Sequence, residues 1–550
     1  MKEMTPSRTP ASPTALARLL DALNTQTSKL PKGNPYHIDQ NVQVPMRDGV
    51  NLLADLYVPA GKIHGTVLIR SPYGRGVLMA AVYAATYAAR GYRVVLQSCR
   101  GTFGSGPGPF EPMQHEILDG QDTVAWMRDQ PWFEGTFATF GVSYLGFTQW
   151  ALLMDPPKEL RTAIVMMGPH DIHQFAHGAG AFRLDLLLTW FDLISQQEKM
   201  GLLDTVLDNF KRPARLKPAF ARVPLLSAGE HHLGGGALAA TYRNFLTRAD
   251  PKDPFWNPRR LGVALEKVQV PVLLLGGWQD IFLQQTLQQY HRLHQRGVDV
   301  ALTVGPWTHG GGGEVLARES LDWLAEHLTG ASRKRPAPVR VFVTGEGAWH
   351  DLADWPPAAH MHTLFLQPGG GLAEQQPEGA AASTFTYDPL DPTPTHGGQL
   401  LEHGGVKDCR VLSARKDVLT FTDPVLKEAL EVMGVPEVEL FHRSDNPHAD
   451  VFVRLCELDA QGRSRNISDG FCRLSAADRP FMVRLSLDAV AHRFSAGSRI
   501  QLLVSGGSHP QYARNLGTGE DPARGQRMRA SHRTVHHAAE VASRIHLPVR

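Results

Sequence analysis

Short apolar runs alternate with helix-compatible stretches between residues 65 and 170, and the alternation resumes near residue 270. TVLIRSPYG, YRVVLQSCRG, ATFGVSYLG and TAIVMMG supply the runs, interleaved with VLMAAVYAATYAARG, closed by Gly91, and a helical stretch over 122–128. PVLLLGGWQD and DVALTVGPWTHG extend the series. Apolar strands joined by helices imply a parallel sheet covered on both faces. Such a sheet binds ligands beyond the carboxyl ends of its strands, so the residues that close each run carry the most information.

The flanking segments have other rhythms. HIDQNVQVPMRDGVNLLADLYVP alternates apolar and polar residues around Asp48-Gly49, predicting a tight antiparallel hairpin with positive backbone angles at that pair. The polar, Pro-rich residues 1–36 are expected to be a surface extension, with Leu16, Leu20 and Leu23 on one helix face. Between 171 and 261 the strand signal gives way to FRLDLLLTWFDLISQQ and GALAATYRNFLTR, which read as an inserted helical cap. Beyond the basic stretch ASRKRPAP, period-two runs such as VRVFVTG, DVFVRLCELDAQG and SRIQLLVSGG predict an all-β sandwich or jelly roll. A chain of 550 residues exceeds one hydrophobic core. The expected division is an extension over 1–36, an α/β unit over 37–170 and 262–335, a cap over 171–261 and a β-domain over 336–550.

Several function classes lose support on composition. A formal charge of +2 gives no electrostatic reason to expect nucleic acid or an anionic membrane as partner. No apolar run reaches the roughly 18 residues of a membrane span, and the N-terminus lacks a signal-peptide pattern, so a cytoplasmic protein is expected. Cys99, Cys409, Cys456 and Cys472 form no C-x-x-C pair and read as free thiols. His231-His232 and His536-His537 lack the H-E-x-x-H spacing of a zinc hydrolase.

GTFATFGVSYLGFTQW, residues 135–150, places Ser143 between a strand-like run and a helix-like one, with Gly141 before it and Gly146 after. One reading is an ordinary helix N-cap. The other is a nucleophile on a sharp strand-to-helix turn, where small neighbours let the hydroxyl stand clear of the backbone. Later residues favour the second. An α/β-hydrolase nucleophile requires an acid and then a histidine in chain order, each just beyond a later strand. Asp280 closes PVLLLGGWQD, and His309 follows ALTVGPW.

The motifs RSPYGRG (70–76), RGTFGSGPGPFEP (100–112), the run over 119–150, GGWQD, GPWTHG and SGGSHPQYARN (505–515) resemble the cocaine-esterase-like (CocE/NonD) serine hydrolases. That group is related to α-amino-acid ester hydrolases, glutaryl acylases and X-prolyl dipeptidyl peptidases. The similarity spans nearly the whole chain after residue 36. It implies an α/β-hydrolase fold with an inserted helical cap and a C-terminal jelly roll. It also implies that Tyr73 of the R-x-P-Y motif donates its hydroxyl to the oxyanion beside the Tyr144 backbone N–H.

The reaction expected is hydrolysis of a small-molecule carboxylic ester through an acyl-enzyme on Ser143, with His309 as base and Asp280 orienting it. Hydrolysis through a serine acyl-enzyme needs neither a metal nor an organic cofactor, so none is expected. Amide-cleaving acylase or X-prolyl dipeptidyl peptidase activity uses the same residues. A carbohydrate-binding or scaffold protein with an idle hydrolase site is the reading from another class, and the complete set of four site residues argues against it. Amino-acid ester hydrolases carry acidic residues close after the aspartate; Phe282 and Leu283 stand there here, which favours a neutral acyl group. Phe175, Phe182, Trp190 and Phe191 are further candidates for the acyl pocket. Oligomeric state is open, a homo-oligomer included.

Overall fold

The computed structural model describes residues 11–474 and 481–550. The alternating region folds into one ten-stranded sheet. Its strands in chain order are β1 (Tyr36–Pro45), β2 (Asn51–Pro59), β3 (Gly65–Ser71), β4 (Tyr92–Ser98), β5 (Phe137–Val142), β6 (Leu160–Met166), β7 (Val272–Gln279), β8 (Val300–Thr308), β9 (Val339–Val343) and β10 (Ala348–Leu352). Across the sheet the order is β1-β2-β4-β3-β5-β6-β7-β8-β9-β10. From β4 to β9 all pairings are parallel, with antiparallel neighbours at both edges. Leu68, Val95 and Leu274 pack into the core on one face, while Ile69, Leu96 and Leu275 pack into the core on the other. Burial on both faces is the reason these strands are continuously apolar rather than alternating.

Three local expectations need correction. The hairpin turn is not a two-residue one: Gly49 alone has positive φ (84°), and its N–H donates to the Met46 carbonyl at 3.0 Å. The N-terminal helix Ala15–Thr27 does not bury a leucine face. It buries Ala17 and is tied down by Asn24 donating to Thr86 and by Arg90 pairing with Asp21, leaving Leu16, Leu19 and Leu23 exposed. VRVFVTG, assigned to the C-terminal β-region, supplies β9 and pairs in parallel with β8 at Leu302–Val339, Thr303–Arg340 and Val304–Val341. A period-two run reads alike whichever sheet receives it, so its partner is set by long-range packing.

Between β6 and β7 the chain is helical, with Ile172–His177, Leu184–Gln196, Leu202–Ala221, Leu225–Leu233 and Gly236–Thr247 as its main elements. The chain beyond β10 is β-rich and forms a second, fourteen-stranded sheet system. Its SGGSHPQYARN segment reaches the helices: the Asp185 N–H donates to the Pro510 carbonyl (2.8 Å), and the Ala513 N–H donates to the Phe182 carbonyl (2.8 Å). These bonds fix the start of helix Leu184–Gln196, which faces the carboxyl end of β5. Cys409 and Cys456, distant in sequence, share one small apolar cluster, and all four thiols are free. Among the described residues no helix is long and apolar enough to cross a membrane.

Candidate active site

Ser143 sits between β5 and helix Tyr144–Leu152 with φ 59° and ψ −121°, outside the regions L residues favour. Its side chain caps nothing, whereas its carbonyl accepts from the Gly146 and Phe147 N–H groups at 2.8 and 3.1 Å. The two glycines explain how so sharp a turn packs. A Cβ on Gly141 would lie 2.4 Å from the Leu145 Cβ, and one on Gly146 would lie 2.6 Å from the Gly168 Cα. The helix therefore starts in direct backbone contact with the end of β6, and the Ser143 hydroxyl is left free of local bonding.

Asp280 follows β7 and His309 follows β8. The His309 Nε2 lies 2.9 Å from the Ser143 Oγ, and its Nδ1 lies 2.6 Å from the Asp280 Oδ1. Asp280 is fully buried, and its other oxygen accepts the Phe282 N–H at 3.0 Å. With the carboxylate accepting from Nδ1–H, the Nε2 lone pair faces the serine. The Phe282 ring packs edge-on against the imidazole, centroids 5.5 Å apart. Gly277, Gly305 and Gly312 leave the space taken by Trp307; a Cβ on Gly305 would fall 2.1 Å from that indole. The GGWQD and GPWTHG glycines thus shape the loop that carries His309.

Tyr73, two residues beyond β3, has its hydroxyl within hydrogen-bonding reach of Ser143. Burial pushes its phenol up to about 12, so it stays protonated at neutral pH. Its oxygen accepts the Trp190 indole N–H at 3.1 Å. The Tyr144 N–H, first in its helix, has no intrahelical acceptor. The Tyr144 side chain points away from this role: its hydroxyl donates to Glu116 and accepts from the Met113 N–H at 2.7 Å. Burial raises the Glu116 carboxyl.

Ser143 opens onto a small cavity of about 40 Å³. Tyr73, Tyr144, Phe175, Trp190 and Phe282 line it. Phe182, Phe191 and Leu283 do not. Phe182 and Phe191 pack edge-on against Tyr242 inside the helical segment, and Leu283 is fully buried at the start of helix Leu283–Gln295. The wall also contains residues that sequence reasoning missed, among them Met113, Leu186, Leu187, Phe245 and Leu401. Leu186 and Leu187 precede Trp190 by four and three positions, so helical spacing was a usable signal for them. Leu401 arrives from the β-rich part and left no local signal. Among the described residues lining the cavity, none is charged. The nearby carboxylates lie outside this lining. Asp171 caps helix Ile172–His177 through the Gln174 N–H and pairs with Arg260. Asp185 lines a separate cleft against Leu216 and Phe220, across the same helix from Leu186 and Leu187.

Residues 48–311 match the X-Pro dipeptidyl-peptidase (S15 family) model, and residues 331–546 match the X-Pro dipeptidyl-peptidase C-terminal non-catalytic domain. A cocaine esterase from Rhodococcus sp. (strain MB1 Bresler) is 30% identical over 577 residues, covering 94% of this chain and 99% of that protein. An aminopeptidase from a marine sediment Thaumarchaeota archaeon superposes with a TM-score of 0.81 at 24% identity, covering 100% of this chain and 99% of the other. An α-amino acid ester hydrolase superposes with a TM-score of 0.80 at 23% identity, covering 94% and 97%; these two likenesses concern the fold. Full-length similarity at the level of the Rhodococcus enzyme, together with both domain matches, makes the chain a member of the cocaine-esterase-like (CocE/NonD) family of serine hydrolases.

Proposed function

We propose that this protein hydrolyses carboxylic esters of neutral acyl groups through an acyl-enzyme formed on Ser143. The observation that carries this reading is the unbroken line from Ser143 Oγ through His309 to Asp280, at the carboxyl ends of β5, β8 and β7, beside an uncharged cavity. His309 takes the serine proton as Oγ attacks the acyl carbon, and Asp280 holds the imidazole tautomer and stabilises the imidazolium. The Tyr73 hydroxyl and the Tyr144 N–H meet the charge that develops on the carbonyl oxygen; one such donor contributes about 2.7–4 kcal/mol. The proton passes from His309 to the departing alkoxide, and water then attacks the acyl-enzyme by the same route.

The carboxylic ester hydrolase assignment follows from the family, in which the Rhodococcus relative is named for an ester. Acylase, dipeptidyl peptidase and aminopeptidase readings share the chemistry but two of them require a site for a terminal ammonium. An ammonium in this cavity would lose hydration and gain no carboxylate partner, which supports a neutral acyl group. A panel of p-nitrophenyl esters and matched p-nitroanilides tests the proposal. Turnover of esters with far slower anilide cleavage is expected, and anilide rates equal to ester rates would shift the reading to an acylase. Loss of ester turnover in Ser143→Ala is expected with it.

A further inference from the structure

We propose that Trp190 is a positioning residue that aims the Tyr73 hydroxyl proton at the oxyanion, so that the helical segment completes the oxyanion hole. This rests on the reading of Tyr73 and Ser143 given above. Helix Leu184–Gln196 touches both residues that face the oxyanion. The Trp190 Nε1–H donates to the Tyr73 Oη at 3.1 Å, and the Trp190 ring stacks over the Tyr144 ring with centroids 6.2 Å apart and planes 11° apart. Just past the end of the helix, the Gln197 Nε2 donates to the Pro72 carbonyl at 3.0 Å. One helix therefore grips the Pro72-Tyr73 loop at its backbone and at its hydroxyl.

The consequence follows from the donor inventory. An indole N–H only donates, and a phenol has one proton and two lone pairs. With the indole proton occupying one lone pair, the phenol proton has no acceptor in that direction and turns toward Ser143. Donation into the phenol oxygen also polarises its O–H bond and strengthens it as a donor. Without the indole, the hydroxyl is free to rotate about its C–O bond, and the preorganisation on which oxyanion stabilisation depends is reduced.

Trp190 also lines the cavity, so the test must separate aiming from packing. Trp190→Phe keeps an aromatic ring and removes the N–H. Benzothienylalanine at 190 keeps the bicyclic shape and replaces N–H with sulfur, which guards against a folding defect in the Phe variant. Both are expected to lower kcat about tenfold with KM little changed, as for loss of one neutral hydrogen bond. Active-site titration with a p-nitrophenyl ester burst corrects for the folded fraction. The decisive reading is the double-mutant cycle: in the Tyr73→Phe background, removing the N–H should change kcat by less than about twofold. An equal loss of kcat in both backgrounds, or near-normal kcat in both Trp190 variants while Tyr73→Phe is slow, overturns the role of Trp190 alone. A Tyr73→Phe enzyme with normal kcat overturns the underlying assignment of Tyr73 instead, so the two failures are distinguishable.

Discussion

The cavity beside Ser143 makes a quantitative demand on the substrate. Phenylacetyl and phenylglycyl methyl esters differ only in an α-ammonium, which must enter a space lined by Ile172, Phe175, Leu186, Leu187, Ile281 and Phe282. No lining residue carries charge, and of the carboxylates one position from a lining residue, Asp171 accepts from Gln174 and pairs with Arg260, Asp185 lines a separate cleft, Asp280 accepts from His309 and Glu402 pairs with Arg212. Glu116 lies behind Tyr144, accepts its hydroxyl, and is held toward the neutral form by burial. Leaving one ammonium desolvated and unpaired costs at least about 2.7 kcal/mol; because an α-amino group with a pKa of about 7.7–8.0 is already about a tenth neutral at pH 7, the loss in kcat/KM against the phenylglycyl ester there is about five- to tenfold. Steady-state hydrolysis of the two esters at neutral pH measures this directly. Repeating the phenylglycyl assay above its amine pKa should recover part of the loss, because the neutral amine carries no charge to strand. Equal kcat/KM at neutral pH would refute the argument and place a compensating carboxylate within reach of the acyl group.

Other consequences are independent of substrate choice. Tyr73→Phe should lower kcat about 10²- to 10³-fold with KM nearly unchanged, and turnover within about twofold of wild type would remove its hydroxyl from the mechanism. Gly146→Ala puts a methyl 2.6 Å from the Gly168 Cα. It should destabilise the fold by about 3 kcal/mol or more, read as a lowered urea midpoint, and an unshifted midpoint would contradict the backbone-contact account. Burial raises the Asp185 carboxyl to about 7 from 3.8. The folded chain holds that proton where the unfolded chain has released it, so this residue makes stability fall as pH rises from about 4 to about 7. Asp185→Asn should flatten that part of the stability–pH curve while leaving ester hydrolysis near wild type, and an unchanged curve would count against the shift.

Legibility from sequence followed the range of the interactions involved. The parallel sheet could be read because each of its strands is apolar on both faces, and the order Ser143, Asp280, His309 because each residue closes its own strand. The helical character of FRLDLLLTWFDLISQQ was local as well. What escaped was decided across the fold. VRVFVTG joins β8 and meets the C-terminal strands only at its end, where Thr344 bridges His492, Leu401 crosses from the β-rich part to the cavity, and Cys409 meets Cys456. Within the helical segment, aromaticity was a poor guide to the cavity. Phe182 and Phe191 turn into the Tyr242 cluster, whereas Leu186 and Leu187 share the Trp190 face and line the wall. The conformation of Ser143 was foreshadowed by its flanking glycines, but the Trp190–Tyr73 hydrogen bond joins residues 117 positions apart and left no sequence signal.

The most direct test of the central claim is the site of covalent capture. A serine whose hydroxyl faces the His309 Nε2 at 2.9 Å should react with phenylmethylsulfonyl fluoride far faster than any other serine. Peptide mass mapping after inactivation should find one adduct, on Ser143, formed in parallel with loss of p-nitrophenyl ester hydrolysis. An active enzyme whose adduct lies on Ser105 or Ser508, or whose ester hydrolysis survives full modification of Ser143, would contradict the account.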